Sequence, residues 1–240
     1  MDLVKANIEN LTSLWRFAGQ KCGHFFTDEH HAISRVSDSN WPNKIWFHQK
    51  PDHQVIKSLL GTKELEKLTI ATWGSYIGQL QEQLESCGFE INNELTGMSL
   101  LLDHPVKPKP DISLQQVTDH ESAAIWSRLF QVAFGYLIHP DTVIQTMDKV
   151  SYYIGRYQEQ NVGTAVLYID SPNTAGIHSM GIVPEQRRKG FAEDLLNLIL
   201  DIAKQKGALY ATLQASEMGK RLYLRRGFQE DFPLKNFVKH

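Results

Sequence analysis

The chain has 240 residues, of which 42% are hydrophobic and 22% charged, with five Trp, eight Tyr and 11 Phe. That supplies the core of one large domain or two small ones, and it excludes a disordered, collagenous or coiled-coil chain. A formal net charge of −2 lacks the basic excess of a dedicated nucleic-acid binder, and no apolar run approaches the ~20 residues of a membrane helix.

Cys22 and Cys87 make neither a CxxC pair nor a disulfide framework. The amino terminus, MDLVKANIENL, carries no basic region followed by an apolar block. The expectation is a cytoplasmic protein, monomer or homodimer, that binds neither nucleic acid nor membrane.

In chain order, helical spacing predicts a first helix over Asp2–Ala18, with Leu11, Leu14 and Trp15 on one face. His31–Ser37 and Lys44–His48 read as strands, Asp52–Leu60 as a helix, Leu65–Thr72 as a strand and Ser75–Ser86 as a helix ending in CGFE. Next, Asp103–Asp111 holds three of the nine prolines, each lacking a backbone donor and holding its predecessor extended; this reads as a stiff connector.

Beyond the connector, Asp119–Phe134 is a helix that Thr118 or Asp119 can cap. Ser151–Gln158, Gly163–Asp170 and Ala175–Val183 alternate as strands. Phe191–Lys206 is strongly amphipathic, with Leu195, Leu196, Ile199, Ile202 and Ala203 on one face and Gly207 as its stop. A strand over Ala208–Gln214, a helix over Glu217–Arg226 and strand from Gly227 onward complete a mixed α/β sheet. The first piece shows the same element order, and its CGFE matches the later RGFQ, which points to an internal duplication.

One segment carries chemistry: a strand ending at Val183, then PEQRRKGFA, then the long helix. The first amides of a helix lack internal partners and lie at the positive end of its dipole, so this turn is an anion site, with Arg187, Arg188 and Lys189 around it. The physics suits a pyrophosphate on backbone donors. The spacing is neither GxxxxGK[ST] nor GxGxxG.

The run Val183–Ala192 resembles the acetyl-CoA signature of the GNAT acetyltransferase superfamily, R/Q-x-x-G-x-G/A, with Arg187, Gly190 and Ala192 at its fixed positions. Downstream, LYLRRGF, Leu222–Phe228, is similar to that family's LYxxxGF block. The resemblance implies two GNAT-like domains in tandem with a central mixed, mostly antiparallel sheet: a degenerate one over 1–103, a Pro-rich linker over 104–111 and a catalytic one over 112–240. It implies an N-acetyltransferase that uses acetyl-CoA as cosubstrate, requires no metal, and transfers the acetyl group to a primary amine of a small molecule or peptide by direct attack in a ternary complex.

The resemblance also implies site roles. Amides of Arg188, Lys189, Gly190, Phe191 and Ala192 would hold the pyrophosphate, and the strand edge Met180–Val183, Ile182 included, would pair with the pantetheine arm. Tyr223 would protonate the departing thiolate. Ser216 stands where family members often carry Asn and can donate one hydrogen bond.

The base is read from the residues themselves. His178 lies beside the pantetheine edge with an ordinary pKa of ~6.5, though the position equally suits a half-buried strand histidine. Glu217 and Tyr136 are further candidates. A rival reading is a non-catalytic acyl-CoA sensor; another keeps the enzyme with a hydroxyl acceptor or a longer acyl donor.

The first piece's equivalent loop, HQKPDHQV, has no glycine and one cation, so it should not hold CoA. HFFTDEHH fits no zinc spacing. Trp41, Trp46 and Trp73 read as packing residues, and Asn10-Leu11-Thr12 as a glycosylation sequon without meaning in the cytoplasm.

Overall fold

Asp2 begins the first helix, its carboxylate accepting from the Lys5 amide at 3.1 Å. Helix α1 (Leu3–Cys22) buries Asn7, Asn10, Leu11, Leu14, Trp15 and Ala18, a stripe at three- and four-residue spacing that contains two asparagines. In this computed structural model the described residues are 2–60, 68–74, 76–103, 111–171 and 173–239. The proline-rich connector and the start of the strand expected from Leu65 lie outside them.

The elements of the first half are β1 (His24–Thr27), β2 (His31–Arg35), β3 (Lys44–Phe47), α2 (His53–Leu60), β4 (Thr69–Trp73), α3 (Ile77–Ser86) and β5 (Glu90–Leu101). The second half contains β6 (Ser113–Gln116), α4 (His120–Phe134), α5 (Pro140–Thr146), β7 (Val150–Tyr157), β8 (Gln160–Ser171) and β9 (Thr174–Ile182). It ends with α6 (Phe191–Gln205), β10 (Tyr210–Ser216), α7 (Glu217–Arg225) and β11 (Gln229–Val238). Among these, β1, β5, β6 and α5 are absent from the sequence reading. β1 and β6 are four residues long, and β5 opens on Glu90–Glu94, too polar to signal a strand until its neighbours pair with it.

The eleven strands of the described residues form one sheet in the order β1-β2-β3-β4-β11-β5-β10-β9-β8-β7-β6. The pairs β3/β4 and β9/β10 are parallel; the other neighbours are antiparallel. The last strand of each half is thus seated between strands of the other. β5 lies between β10 and β11, and β11 between β4 and β5. At the crossing Gly97 faces Phe232, and a Cβ at 97 would overlap the Phe232 ring.

Helix α6 buries Leu195, Leu196, Ile199, Leu200 and Ala203 against this sheet with Ile177, Leu213 and Met98, the last contributed by the first half. At ~1.5–3 kcal/mol for each large aliphatic side chain, that face anchors α6 firmly beside β9. Trp46 and Trp73 are buried with Leu11 and Trp15 as packing residues, and Trp41 is half-buried against the same cluster. No helix of the described residues is long and apolar enough to cross a membrane.

Candidate active site

Strands β9 and β10 pair over three residues only: Tyr210 with Thr174, Ala211 with Ala175 and Thr212 with Gly176. Beyond that they part, and β9 shows why. Between His178 and Gly181 it carries one residue more than β8 between Val166 and Thr164. The bulge puts Ser179 at φ +48°, and Thr164 Oγ1 donates to the Ser179 carbonyl at 3.0 Å, holding the deformation. A bulge raises the local twist, and beyond Gly176 and Thr212 the two strands no longer pair, leaving a V between them.

Across this V the expected pantetheine edge is divided by strand alternation. Val183 donates its amide to Val162 O at 3.0 Å, so its backbone serves β8. The peptide groups of Met180 and Ile182 therefore face the gap. The Ile182 carbonyl there accepts Arg187 Nε at 3.0 Å.

The chain leaves β9 through a short turn of 3₁₀ helix, Pro184–Gln186, and enters α6 at Gly190. Arg188 sits at φ +64° and Gly190 at φ +87°. Such left-handed residues fold successive N–H groups into a concave nest, and Gly190 adopts the conformation without a Cβ penalty. Among the described residues no hydrogen bond occupies the amides of Arg188 to Ala192, and no side chain caps α6. Buried Phe191 packs at a tilt against Tyr157, with centroids 4.9 Å apart, and pins the first turn, while Ala192 leaves it uncovered.

The cations around the nest differ in role. Arg187 is a brace: besides Ile182 O, its Nη2 reaches the carbonyl of Ala133 at 3.1 Å, near the end of α4. Lys189 Nζ donates to Gln186 Oε1 at 2.7 Å, and Arg188 is exposed. The equivalent turn before α2 contrasts sharply. Asp52 Oδ1 accepts the Val55 amide at 2.8 Å, so a carboxylate of the chain itself occupies that helix start.

On the other arm of the V, Ser216 ends β10 and accepts the Gly219 amide at 3.3 Å, capping α7. Tyr223 follows two turns later, 8% exposed, its ring meeting Phe228 edge-on with centroids 5.7 Å apart. Burial pushes its hydroxyl up to about 12, so it stays protonated across the neutral range. Glu217 points away: its side chain is 91% exposed and pairs with Lys220 at 3.6 Å. Tyr136 belongs to an aromatic group with Phe130 and Phe134 and keeps 39% of its surface exposed.

His178 lies two residues past the last β9/β10 pair, on the sheet face covered by α1. Its Nε2 is 3.0 Å from Asn10 Oδ1. Asn10 Nδ2 donates to Tyr168 O at 3.1 Å and to Asp170 Oδ1 at 2.8 Å. Beside it Asn7 Nδ2 donates to Met98 O and Leu213 O, and Gln214 Nε2 donates to Asn7 Oδ1 at 2.5 Å. Burial pulls the His178 imidazole down to about 4, with a partial opposing effect from a hydrogen bond to the Gln214 side chain, so it is neutral at pH 7.

Sequence reasoning missed this amide network. Its signal was present: two asparagines three residues apart on the apolar stripe of α1, one of them the sequon residue, which is wholly buried. The HFFTDEHH segment forms a turn in which Asp28 Oδ1 accepts the amides of His30 and His31, each at 2.8 Å.

The profile of the acetyltransferase (GNAT) family matches residues 118–228. Solved structures share the fold over most or all of the chain. A GCN5-related N-acetyltransferase from Kribbella flavida superimposes with a TM-score of 0.70 at 14% identity, covering 97% of this chain and 96% of its own. A conserved protein of unknown function from Staphylococcus epidermidis gives 0.67 at 17% identity, covering 89% and 92%. A GNAT-family protein described as a putative acetyltransferase, from Novosphingobium aromaticivorans, gives 0.62 at 13% identity, covering 100% and 97%. No curated protein matches the sequence.

Proposed function

We propose that the chain transfers the acetyl group of acetyl-CoA to a primary amine of a small molecule or peptide, by direct attack in a ternary complex. The observation that carries this reading is the uncapped start of α6, with free amides from Arg188 to Ala192 beside the open V of β9 and β10. A pyrophosphate needs several convergent donors and a positive field, and this turn supplies both. Met180 and Ile182 offer peptide groups to an extended amide-bearing arm laid in the V, and Arg187 holds the turn against β9.

Acetyl-CoA supplies a thioester whose carbonyl accepts the amine. The C–N bond forms and the C–S bond breaks; Tyr223 gives its proton to the thiolate sulfur, and the amine's proton passes to His178. At pH 7 burial keeps the phenol protonated, able to give a proton, and the imidazole neutral, with a lone pair free. Each then exchanges its proton with solvent.

The first half fits a worn copy of the second. The run β3-α2-β4-α3-β5 mirrors β9-α6-β10-α7-β11, with the parallel pair at the same place in each. Asp52 at the start of α2 replaces an anion by a carboxylate, which supports one CoA site per chain over 112–240. Cys22 and Cys87 are both free, which favours a reducing cytoplasm. Calorimetric titration with CoA, followed by a CoA-release screen over amines, aminoglycosides and peptides, tests the reading. Tight binding without release on any amine would replace the enzyme by an acyl-CoA sensor.

A further inference from the structure

The first half donates a helix to the second half's site, and the hydrogen bonds along that helix have a fixed direction. Carbonyl and carboxylate oxygens only accept at neutral pH, so the Asn10 side-chain nitrogen must face Tyr168 O and Asp170. Its Oδ1 is left toward His178 and can only accept. The ring therefore donates from Nε2, and Nδ1 holds the lone pair.

The same reasoning orients the neighbouring amides. Asn7 Nδ2 serves two carbonyls, its Oδ1 receives Gln214 Nε2, and the oxygen of Gln214 remains as a second acceptor near the imidazole. Two acceptors compete for the single N–H of a neutral ring. Asn10, at 3.0 Å, has the geometry of a hydrogen bond to a specified nitrogen.

We propose that Asn10, on α1 of the first half, is a positioning residue that holds His178 as the Nε2–H tautomer and leaves Nδ1 as the atom that receives the amine's proton. This rests on the acetyl-transfer reading above and deepens it: the first half completes the catalytic apparatus of the second. Ser13 supports the arrangement by donating to Asp170 Oδ2 at 3.1 Å, while the other oxygen of that carboxylate holds Asn10. Asn10 acts through the ring and not on the acceptor.

The test labels histidine with 15N in the full-length chain and reads two-bond 1H–15N correlations at about pH 7, with His178 assigned from the signals missing in His178→Gln. The expected wild-type pattern is a single Nε2-protonated ring. Asn10→Leu should lose that pattern and lower kcat ~10-fold or more with KM for acetyl-CoA unchanged. An Nδ1-protonated ring or a fast-exchanging mixture in wild type would overturn the proposal and assign the ring to Gln214; this reading needs no variant at position 10 to fold. Calorimetry with CoA on the same sample keeps the two ideas apart, because absent CoA binding defeats the acetyl-transfer reading whatever the tautomer.

Discussion

Arg187 Nη2 donates to the carbonyl of Ala133 at 3.1 Å, while its Nε donates to Ile182 O at 3.0 Å, so one guanidinium ties the anion loop to both α4 and β9. On the acetyl-transfer reading proposed above, its contribution to CoA binding is indirect, through the shape of the nest. Arg187→Ala should weaken CoA ~10-fold, the effect of losing charge-assisted hydrogen bonds worth ~1.5 kcal/mol at an exposed site. Arg187→Lys should recover little, since an ammonium cannot reach two carbonyls in a fork. Calorimetry decides: an unchanged affinity in the alanine variant would make the brace dispensable.

Gly190→Glu should abolish CoA binding and leave the chain folded. Nothing lies within 4 Å of a Cβ at this position, so the side chain meets no clash. The strain is in the backbone, ~1 kcal/mol for a non-glycine residue at φ +87°. The loss comes from placing a carboxylate at the start of α6, as Asp52 already does for α2. A circular dichroism melt together with a CoA titration checks both halves of the statement.

Tyr223→Phe should lower kcat ~10²–10⁴-fold with little change in KM for acetyl-CoA, the usual cost of removing one general acid. With its hydroxyl raised to about 12, Tyr223 should also impose no loss of rate below about pH 11. The experiment is a pH–rate profile of wild type beside single-turnover rates of the variant. A wild-type rate in Tyr223→Phe, under conditions where chemistry limits, would reduce this residue to packing.

His178 couples stability to pH. Its imidazole is lowered to about 4 in the fold from 6.5, so between those values the unfolded chain binds the extra proton. Stability therefore rises with pH through this window and is lost as pH falls from about 6.5 toward 4, by at most ~3 kcal/mol. His178→Gln should flatten the drop in urea midpoint between pH 6.5 and 4.5. A variant whose pH dependence matches wild type would show that the histidine stays solvated.

The chain should bind one CoA, and residues 111–240 alone should be insoluble or inactive. β5 pairs with both β10 and β11, so cutting the chain in the 104–110 segment and discarding the first half splits the remaining sheet at its centre and exposes the core around Met98. Co-expression of residues 1–103 should restore solubility. Full activity from the isolated fragment, or two CoA per intact chain, would refute this account.

Much of the structure is local in origin and was legible in the residues. The periodicity of Phe191–Gln205, the cap at Asp119 and the glycine at 190 act over a few positions, so helix α6, the start of α4 and the anion turn follow from short-range stereochemistry. The contrast between Gly190 and Asp52 at the two helix starts is equally local. What only the tertiary structure decided involves partners far apart in the chain. β5 is a strand because β10 and β11 satisfy its backbone on both sides, and Glu90–Glu94 carries no signal of that. The opening of the V depends on an extra residue counted against β8, which exists only once register is set. His178 could be read as a base or as a filler until Asn10, 168 residues away, was brought to 3.0 Å from its Nε2. A polar group's role is set by what shares its enclosure, and that is a property of the assembled sheet.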